Sequence, residues 1–239
     1  MRDIEHHLFY CGNIAADTGV ISLDKTETNH AVSVLRAKVG DPIRITGGDG
    51  IIYDCQCMDI SKQSMSCRIL DKTVTPRLSP ELSLFIGLPD KEHFETILEY
   101  TTALGAARIV PLIMDHCRKP WWESWEKLRE RFATKMIVSM KQCLYPYMPR
   151  LDTPVSLDEV INTCDKPVIV ADQYGKKLSD VDLSPHKKLT CLVGPPGGMS
   201  ARELILLEDH DMVTINIAAA RLRTELAAAV LCARIMNTT

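Results

Sequence analysis

The fold class is indicated most clearly by Leu192-Val-Gly-Pro-Pro-Gly-Gly-Met-Ser200. In this segment an apolar strand-like run leads into a glycine-rich loop and then into the start of a helix. A similar unit follows at residues 215–225, where Ile-Asn-Ile precedes three alanines and Arg-Leu-Arg-Thr-Glu. Upstream, apolar runs at 82–87, 108–113 and 167–171 alternate with helical patterns. Strands that alternate with helices predict a mostly parallel sheet with helices on both faces. Both loops are then expected beyond the carboxyl ends of strands, where ligands bind in such sheets.

The first part of the chain has a different pattern, with short β-type runs separated by turn residues. Pro42–Thr46 and Ile51–Met58 flank Gly47-Gly-Asp-Gly50, which predicts a hairpin, and Met65–Leu70 predicts a third strand. We therefore predict a small β-barrel-like domain at residues 1–75 and an α/β domain at residues 80–239. The proline-containing segment 75–80 is the predicted linker.

Composition limits the class of protein. Hydrophobic residues make up 46% and charged residues 25%, as in ordinary globular proteins, and no apolar run is long enough to span a bilayer. No signal-like segment opens the chain, so we expect a cytoplasmic protein whose nine cysteines are reduced. Cys55-x-Cys57 lacks a second pair at zinc-finger spacing, so we predict no metal site.

Charge is distributed unevenly along the chain. The net charge is −3, yet residues 116–150 hold eight lysines and arginines against three glutamates. Such a stripe attracts phosphate locally, although a solvated helix face explains it equally well.

The motifs together resemble the RsmE family, the SPOUT-superfamily methyltransferases that modify N3 of a uridine in 16S rRNA with S-adenosylmethionine. The resemblance covers almost the whole chain. It is carried by these segments: His7–Tyr10, His30, Val34–Arg36, Gly40-Asp41, Asp49-Gly50, Leu104-Gly105, Arg108–Leu112, Met140–Cys143, Pro149, Gly194–Gly198 and Arg221–Glu225. It implies an N-terminal PUA-like RNA-binding domain, a trefoil-knotted methyltransferase domain, and a homodimer formed through the knot domain and its C-terminal helix. It also implies the small ribosomal subunit as partner, with no role for a membrane or metal.

The resemblance also assigns the site residues. The expected cofactor-binding residues are Leu192, Gly194, Pro195, Gly197, Gly198, Ile215, Ile217, Ala218, Leu222 and Thr224. Two arginines at the head of a helix are electrostatically misplaced, which suggests that they serve a ligand. Arg223 is the first candidate for stabilising the charge that develops on the uridine, and Arg221 the second. The expected RNA contacts are His30, Arg36, Arg118, Lys119 and Lys141.

The chain departs from the family pattern at four positions. Pro196 replaces the usual Glu, Ala218 replaces Gly, Leu226 replaces Thr, and Ala103 replaces an acidic residue. Pro196, Ala218 and Leu226 leave open a non-catalytic RNA-binding or ribosome-assembly protein on the same fold. Two further alternatives also stay open: a SPOUT methyltransferase for another RNA position, and a small-molecule enzyme that uses the glycine loop as an anion cradle.

Overall fold

The computed structural model describes residues 3–118, 120–162, 164, 166–210 and 212–236. The chain divides into two compact units. The first contains Met1–Arg77 and Ile137–Met148, and the second contains Leu78–Met136 and Pro149–Thr239. The ranges 1–75 and 80–239 expected from the sequence place residues 137–148 differently.

Hydrogen bonds within the first unit explain why residues 137–148 belong there. The Gly50 N–H donates to the Pro146 carbonyl over 2.7 Å, and the Met148 N–H donates to the Gly48 carbonyl over 2.8 Å. The Tyr147 hydroxyl donates to the Thr75 carbonyl over 2.8 Å. Sequence periodicity cannot reveal such pairing between distant segments.

The first unit is built on a five-stranded sheet of order β1-β3-β4-β5-β2, in which only β1 and β3 pair in parallel. Its elements are β1 (Leu8–Tyr10), β2 (Val20–Leu23), α1 (Lys25–Asn29), a π-helical turn (His30–Val34), β3 (Pro42–Thr46), β4 (Ile51–Ile60) and β5 (Met65–Val74), with short 3₁₀ turns at Asp3–His6 and Ala16–Thr18. The predicted hairpin is confirmed, since β3 and β4 pair antiparallel with Thr46 opposite Ile52. Its loop contains Gly48 and Gly50 at φ +82° and +94°, which favour glycine.

The second unit is built on a seven-stranded sheet of order β12-β10-β11-β6-β7-β8, with β9 also paired to β7. Its elements are β6 (Glu81–Gly87), α2 (Lys91–Ala103), β7 (Arg108–Ile113), a 3₁₀ turn (Trp121–Ser124), α3 (Trp125–Cys143, which continues into the first unit), β8 (Arg150–Leu151), β9 (Val155–Ser156), α4 (Leu157–Ile161), β10 (Val168–Lys177), a 3₁₀ turn (Leu178–Asp180), β11 (Lys188–Val193), α5 (Ala201–Glu208), β12 (Val213–Asn216) and α6 (Thr224–Met236). Every neighbouring pair of strands is parallel, which confirms the predicted sheet.

Both faces of this sheet are covered by helices. On one face, Phe85, Val170 and Leu192 share a buried cluster with residues of α4 and α5. On the other, α6 contacts α2, β6 and β11. Because successive strand residues point to opposite faces, nearly continuous apolar strands are what such a double covering requires. The carboxyl ends of β10, β11 and β12 therefore meet at one edge, where the two loops lie.

Candidate functional site

A cavity of about 690 Å³ opens at the carboxyl edge of the parallel sheet in the second unit. Its walls are the loop within β10, the loop after β11, the end of β12 with the loop that follows it, the first turn of α6, the side chains Asp90 and His93 at the start of α2, and Arg118. The volume lies within the roughly 300–1,000 Å³ typical of small-molecule pockets. The two loops noted in the sequence thus share one cavity with residues from earlier in the chain.

The glycine-rich loop after β11 is a β-turn that packs tightly. The Gly198 N–H donates to the Pro195 carbonyl over 2.8 Å, and Gly198 has φ +78°. Pro196 occupies the second turn position, where proline is favoured because its φ is already correct. Pro196 is also exposed. A Cβ on Gly87 at the end of β6 would lie 2.4 Å from the Pro195 nitrogen, so only glycine lets the loop approach this closely.

A capping box fixes the end of the same loop to the segment after β7. The Glu203 carboxylate is fully buried and accepts hydrogen bonds over 2.8 Å from the N–H groups of Ser200 and Asp115. Hydrogen bonds from Arg202 and then Ser200 hold the pKa of Asp115 below its usual value. Nδ1 of His116 lies 3.0 Å from the Gly198 carbonyl oxygen. The glycine loop is therefore held from both sides.

Polar contacts join the other two loops of the cavity. The Asn216 amide group donates to the Gln173 carbonyl over 2.8 Å, and its oxygen accepts from the Ala218 N–H over 3.0 Å. The Thr224 hydroxyl donates to the Gly194 carbonyl over 3.2 Å. The loop within β10 is thus linked to β12, and the loop after β11 is linked to the start of α6.

Most of the cofactor residues expected from the sequence face the cavity. Those that line it are Gly194, Pro195, Gly198, Ile217, Ala218, Leu222 and Thr224, together with Arg221 and Arg223. Three others do not line it: Leu192 and Ile215 are fully buried, and Gly197 is exposed in the turn, where a Cβ would lie 2.7 Å from the His116 Cβ. Of the departures from the family pattern, Ala218 lines the cavity, whereas Leu226 does not and is 48% exposed on α6.

Charges of both signs line the cavity. Arg118, Arg221 and Arg223 are exposed, and none of them forms an ion pair with any residue that the structure describes. The carboxylates come from Asp90, Asp172 and Glu225. Nε2 of His93 lies 3.9 Å from the nearer Glu225 carboxylate oxygen. A cavity of this kind can hold a ligand with a cationic centre beside a polyanion.

The remaining RNA contacts expected from the sequence fall in the first unit, apart from Lys119, which lies outside the described residues. Lys141 forms an ion pair with the buried Glu27, which also accepts from the Tyr10 N–H over 3.2 Å. Partial burial lowers the pKa of His30 below its usual value. The nearby charge of Lys141 lowers this pKa further, and Glu27 opposes the shift. Arg36 is exposed, with φ at +57°. The structure thus brings His30 and Lys141 together and gives Lys141 a structural role that the charge pattern did not predict.

Several residues of the cavity were missed by sequence reasoning. Asp90, His93, Asp172, Tyr174 and Asn216 all line it. Asn216 ends β12 and Asp172 follows the apolar run of β10, so their positions at the ends of apolar runs were a usable signal. Asp90 and His93 carried no such signal, since they come from the N-terminus of a helix far away in the sequence.

The described residues contain no group of three or more His, Cys, Asp or Glu side chains placed to hold a metal ion. No helix among them is long and apolar enough to cross a membrane.

The chain matches known families along most of its length. A family model described as an RNA methyltransferase domain matches residues 76–236, and one described as an RNA methyltransferase PUA domain matches residues 23–70. Relatives named ribosomal RNA small subunit methyltransferase E include that of Aquifex aeolicus, 29% identical over 79% of this chain and 82% of its own length. That of Bacillus subtilis is 27% identical over 86% of this chain and 85% of its own length.

Solved structures show the same fold. A ribosomal RNA small subunit methyltransferase E from Neisseria gonorrhoeae, bound to S-adenosylmethionine, superposes with a TM-score of 0.86 at 19% identity and covers 97% of both chains. A methyltransferase from Legionella pneumophila in complex with the same cofactor gives 0.85 at 24% identity, over 97% of this chain and 96% of its own. The resemblance drawn from the motifs is confirmed, and the chain belongs to the RNA methyltransferase family of RsmE type.

Proposed function

We propose that this protein transfers a methyl group from S-adenosylmethionine to N3 of a uridine in 16S rRNA of the small ribosomal subunit. The observation that carries the proposal is the cavity whose walls include the two family loops and whose lining includes three arginines without an ion-pair partner among the described residues. Small subunit methyltransferase E relatives that cover most of the chain support the same RNA substrate.

The residues present fit this cofactor. Ile217, Leu222 and Met199 offer apolar wall for an adenine ring, while Asp90, Asp172 and Glu225 offer negative charge near a cationic sulfur. The Gly87 position shows that the wall is built for close backbone approach, since a Cβ there would meet Pro195. Pro196 suits the turn that it occupies, and Leu226 lies outside the lining. Two of the departures from the family pattern, Pro196 and Leu226, are therefore compatible with cofactor binding.

The protein's own contribution to the reaction is positioning and charge stabilisation. The bound cofactor supplies an electrophilic methyl group on a good leaving group. N3 of uridine must lose its proton as it attacks, so negative charge develops on the ring. Arg223, exposed at the cavity, is placed to stabilise that charge, with Arg221 as the second candidate or as a phosphate contact.

Calorimetric titration with S-adenosylmethionine and S-adenosylhomocysteine tests the cofactor site first. We expect micromolar binding, followed by methyl transfer to small subunits from cells that lack the modification, with the product mapped to a single uridine N3. A methyl group at another atom would replace the uridine assignment by another SPOUT target. Absence of cofactor binding both with and without RNA would contradict the proposed methyl transfer.

We further propose that the chain is knotted, homodimeric and cytoplasmic, as the family resemblance implies. The dimer is supported by Tyr100 and Leu226, which are 46% and 48% exposed on α2 and α6, two helices that pack against each other. Leu226→Lys should then convert the dimer to a monomer in light scattering. Leu204→Lys, a matched change of a leucine 39% exposed on α5, should leave the dimer intact. A monomeric wild-type protein would contradict the dimer.

A further inference from the structure

A loop in β10 presents an aromatic side chain at the cavity. Ala171 and Lys176 both pair with Ile215 of β12, so residues 172–175 form a bulge between two points of the same ladder. Bulges next to functional sites commonly redirect a side chain. Here the redirected side chain is Tyr174, which lines the cavity.

The bulge is held in a defined shape by its neighbours. The Tyr174 N–H donates to the Asp172 carboxylate over 2.7 Å, and the Asn216 side chain donates to the Gln173 carbonyl over 2.8 Å. A Cβ on Gly175 would lie 2.5 Å from the Ile215 nitrogen, so the loop contacts β12 without a gap. Tyr174 is therefore displayed from a fixed backbone.

Tyr174 is 88% exposed, more than any other large apolar side chain among those the structure describes. Its exposed ring shares the cavity with Arg118, Arg221 and Arg223, which have no described ion-pair partner. Cations that contact phosphates beside an aromatic face that stacks on bases are the combination with which proteins bind single-stranded nucleic acid.

We propose that Tyr174 is the stacking platform for a nucleobase in the single-stranded RNA segment that carries the target uridine. This inference rests on the proposed function, because it takes RNA as the substrate of the cavity. Tyr174 is a positioning residue, since it holds the RNA segment in place while the arginines contact the phosphates of that segment.

Three substitutions of one residue test the stacking. Tyr174→Ala should weaken binding of an unmodified 16S rRNA transcript by about 10- to 100-fold, the range expected for loss of one stacked base. Tyr174→Phe keeps the ring and should restore the affinity. Tyr174→Leu keeps apolar area without a π face and should not. Calorimetric affinity for S-adenosylmethionine should stay the same in all three, and the methylation defect of Tyr174→Ala should appear in KM rather than in kcat.

Ultraviolet crosslinking of the transcript, followed by mass spectrometry, locates the base. A Tyr174 adduct at or beside the target uridine supports the proposal.

Equal RNA affinity for Tyr174→Ala and wild type, or restoration of the RNA affinity by Tyr174→Leu, overturns the proposal even when methylation proceeds. Loss of the dimer in Tyr174→Ala overturns it in favour of a second copy of this chain. If the wild type binds RNA through Tyr174 but transfers no methyl group, the proposed function fails and the stacking stands. If the wild type binds no RNA, both fail.

Discussion

Arg223 carries most of the chemistry proposed at the scale of single residues. It lines the cavity, is exposed, and follows a loop whose Asn216 side chain fixes neighbouring backbone. Arg223→Ala should lower kcat for methylation by about 100-fold, because removal of one donor that stabilises developing charge typically costs this much. Affinity for S-adenosylmethionine should change little, and single-turnover kinetics on undermodified subunits measure both. A rise in KM alone would show that Arg223 binds phosphate instead.

How far single residues could be predicted depended on the signal that each one carried. The two arginines and the glycines stood out because their types are unusual at helix starts and strand ends. Tyr174 and His93 did not, since an aromatic residue after a strand or a histidine in a helix is ordinary in a sequence. Their importance arises from the cavity that they share, and only the folded chain shows it.

At the scale of elements, two capping boxes of the same composition offer a matched comparison. Ser200 caps α5 beside the glycine-rich loop, and Ser156 caps α4, with Glu203 and Glu159 completing the boxes. Ser200→Ala and Ser156→Ala should each lower the free energy of unfolding by about 1 kcal/mol. Only Ser200→Ala should also weaken binding of S-adenosylmethionine, because the Ser200 box positions the cofactor loop. Denaturant melts and calorimetry measure the two effects, and equal cofactor affinity in both variants would contradict the argument.

Elements were predictable where one periodicity ran through them. The strands β3, β6 and β11 begin and end close to their expected positions, because each is bounded by turn residues. A proline favours an edge strand or a strand end, yet β7, which contains Pro111, lies between β6 and the short strands β8 and β9. The strand tolerates proline there because β8 pairs with residues up to Ile109 and β9 pairs from Leu112, which leaves Pro111 opposite a gap.

At the scale of the whole molecule, the net charge is −3, yet three exposed arginines line the cavity. We expect RNA affinity to fall steeply with added salt, because bound phosphates release counterions. Arg118→Ala should reduce the slope of log K against log salt by about 1, as expected for loss of one phosphate contact. Lys188→Ala makes the same charge change at the amino end of β11, away from the cavity, and should leave the slope unchanged. Equal slopes for the two variants would remove Arg118 from the RNA interface.

Buried thiols make the stability of the molecule sensitive to alkaline pH. Burial raises the pKa of Cys55 and Cys67 to about 12, above an ordinary value near 9. The contribution of these two protonated thiols to the free energy of unfolding is complete below pH 9. It is lost as the pH rises towards 12, because the thiols of the unfolded chain give up protons that those of the folded chain retain. The free energy of unfolding should therefore fall by up to about 1.4 kcal/mol per pH unit for each thiol.

Denaturant melts between pH 8 and pH 11 check this dependence. Cys67→Ala should make the decline with pH shallower, whatever it does to stability at pH 8. A stability that is flat across this range would contradict the account.

The order of the elements along the chain also bears on how the protein is synthesised. β11 is made before β12, yet the loops of the cavity are joined by Asn216 at the end of β12 and Thr224 at the start of α6. A nascent chain that ends before these residues has most of the parallel sheet but an incomplete cavity. The whole cavity therefore forms only after the last strand and the last helix have been made.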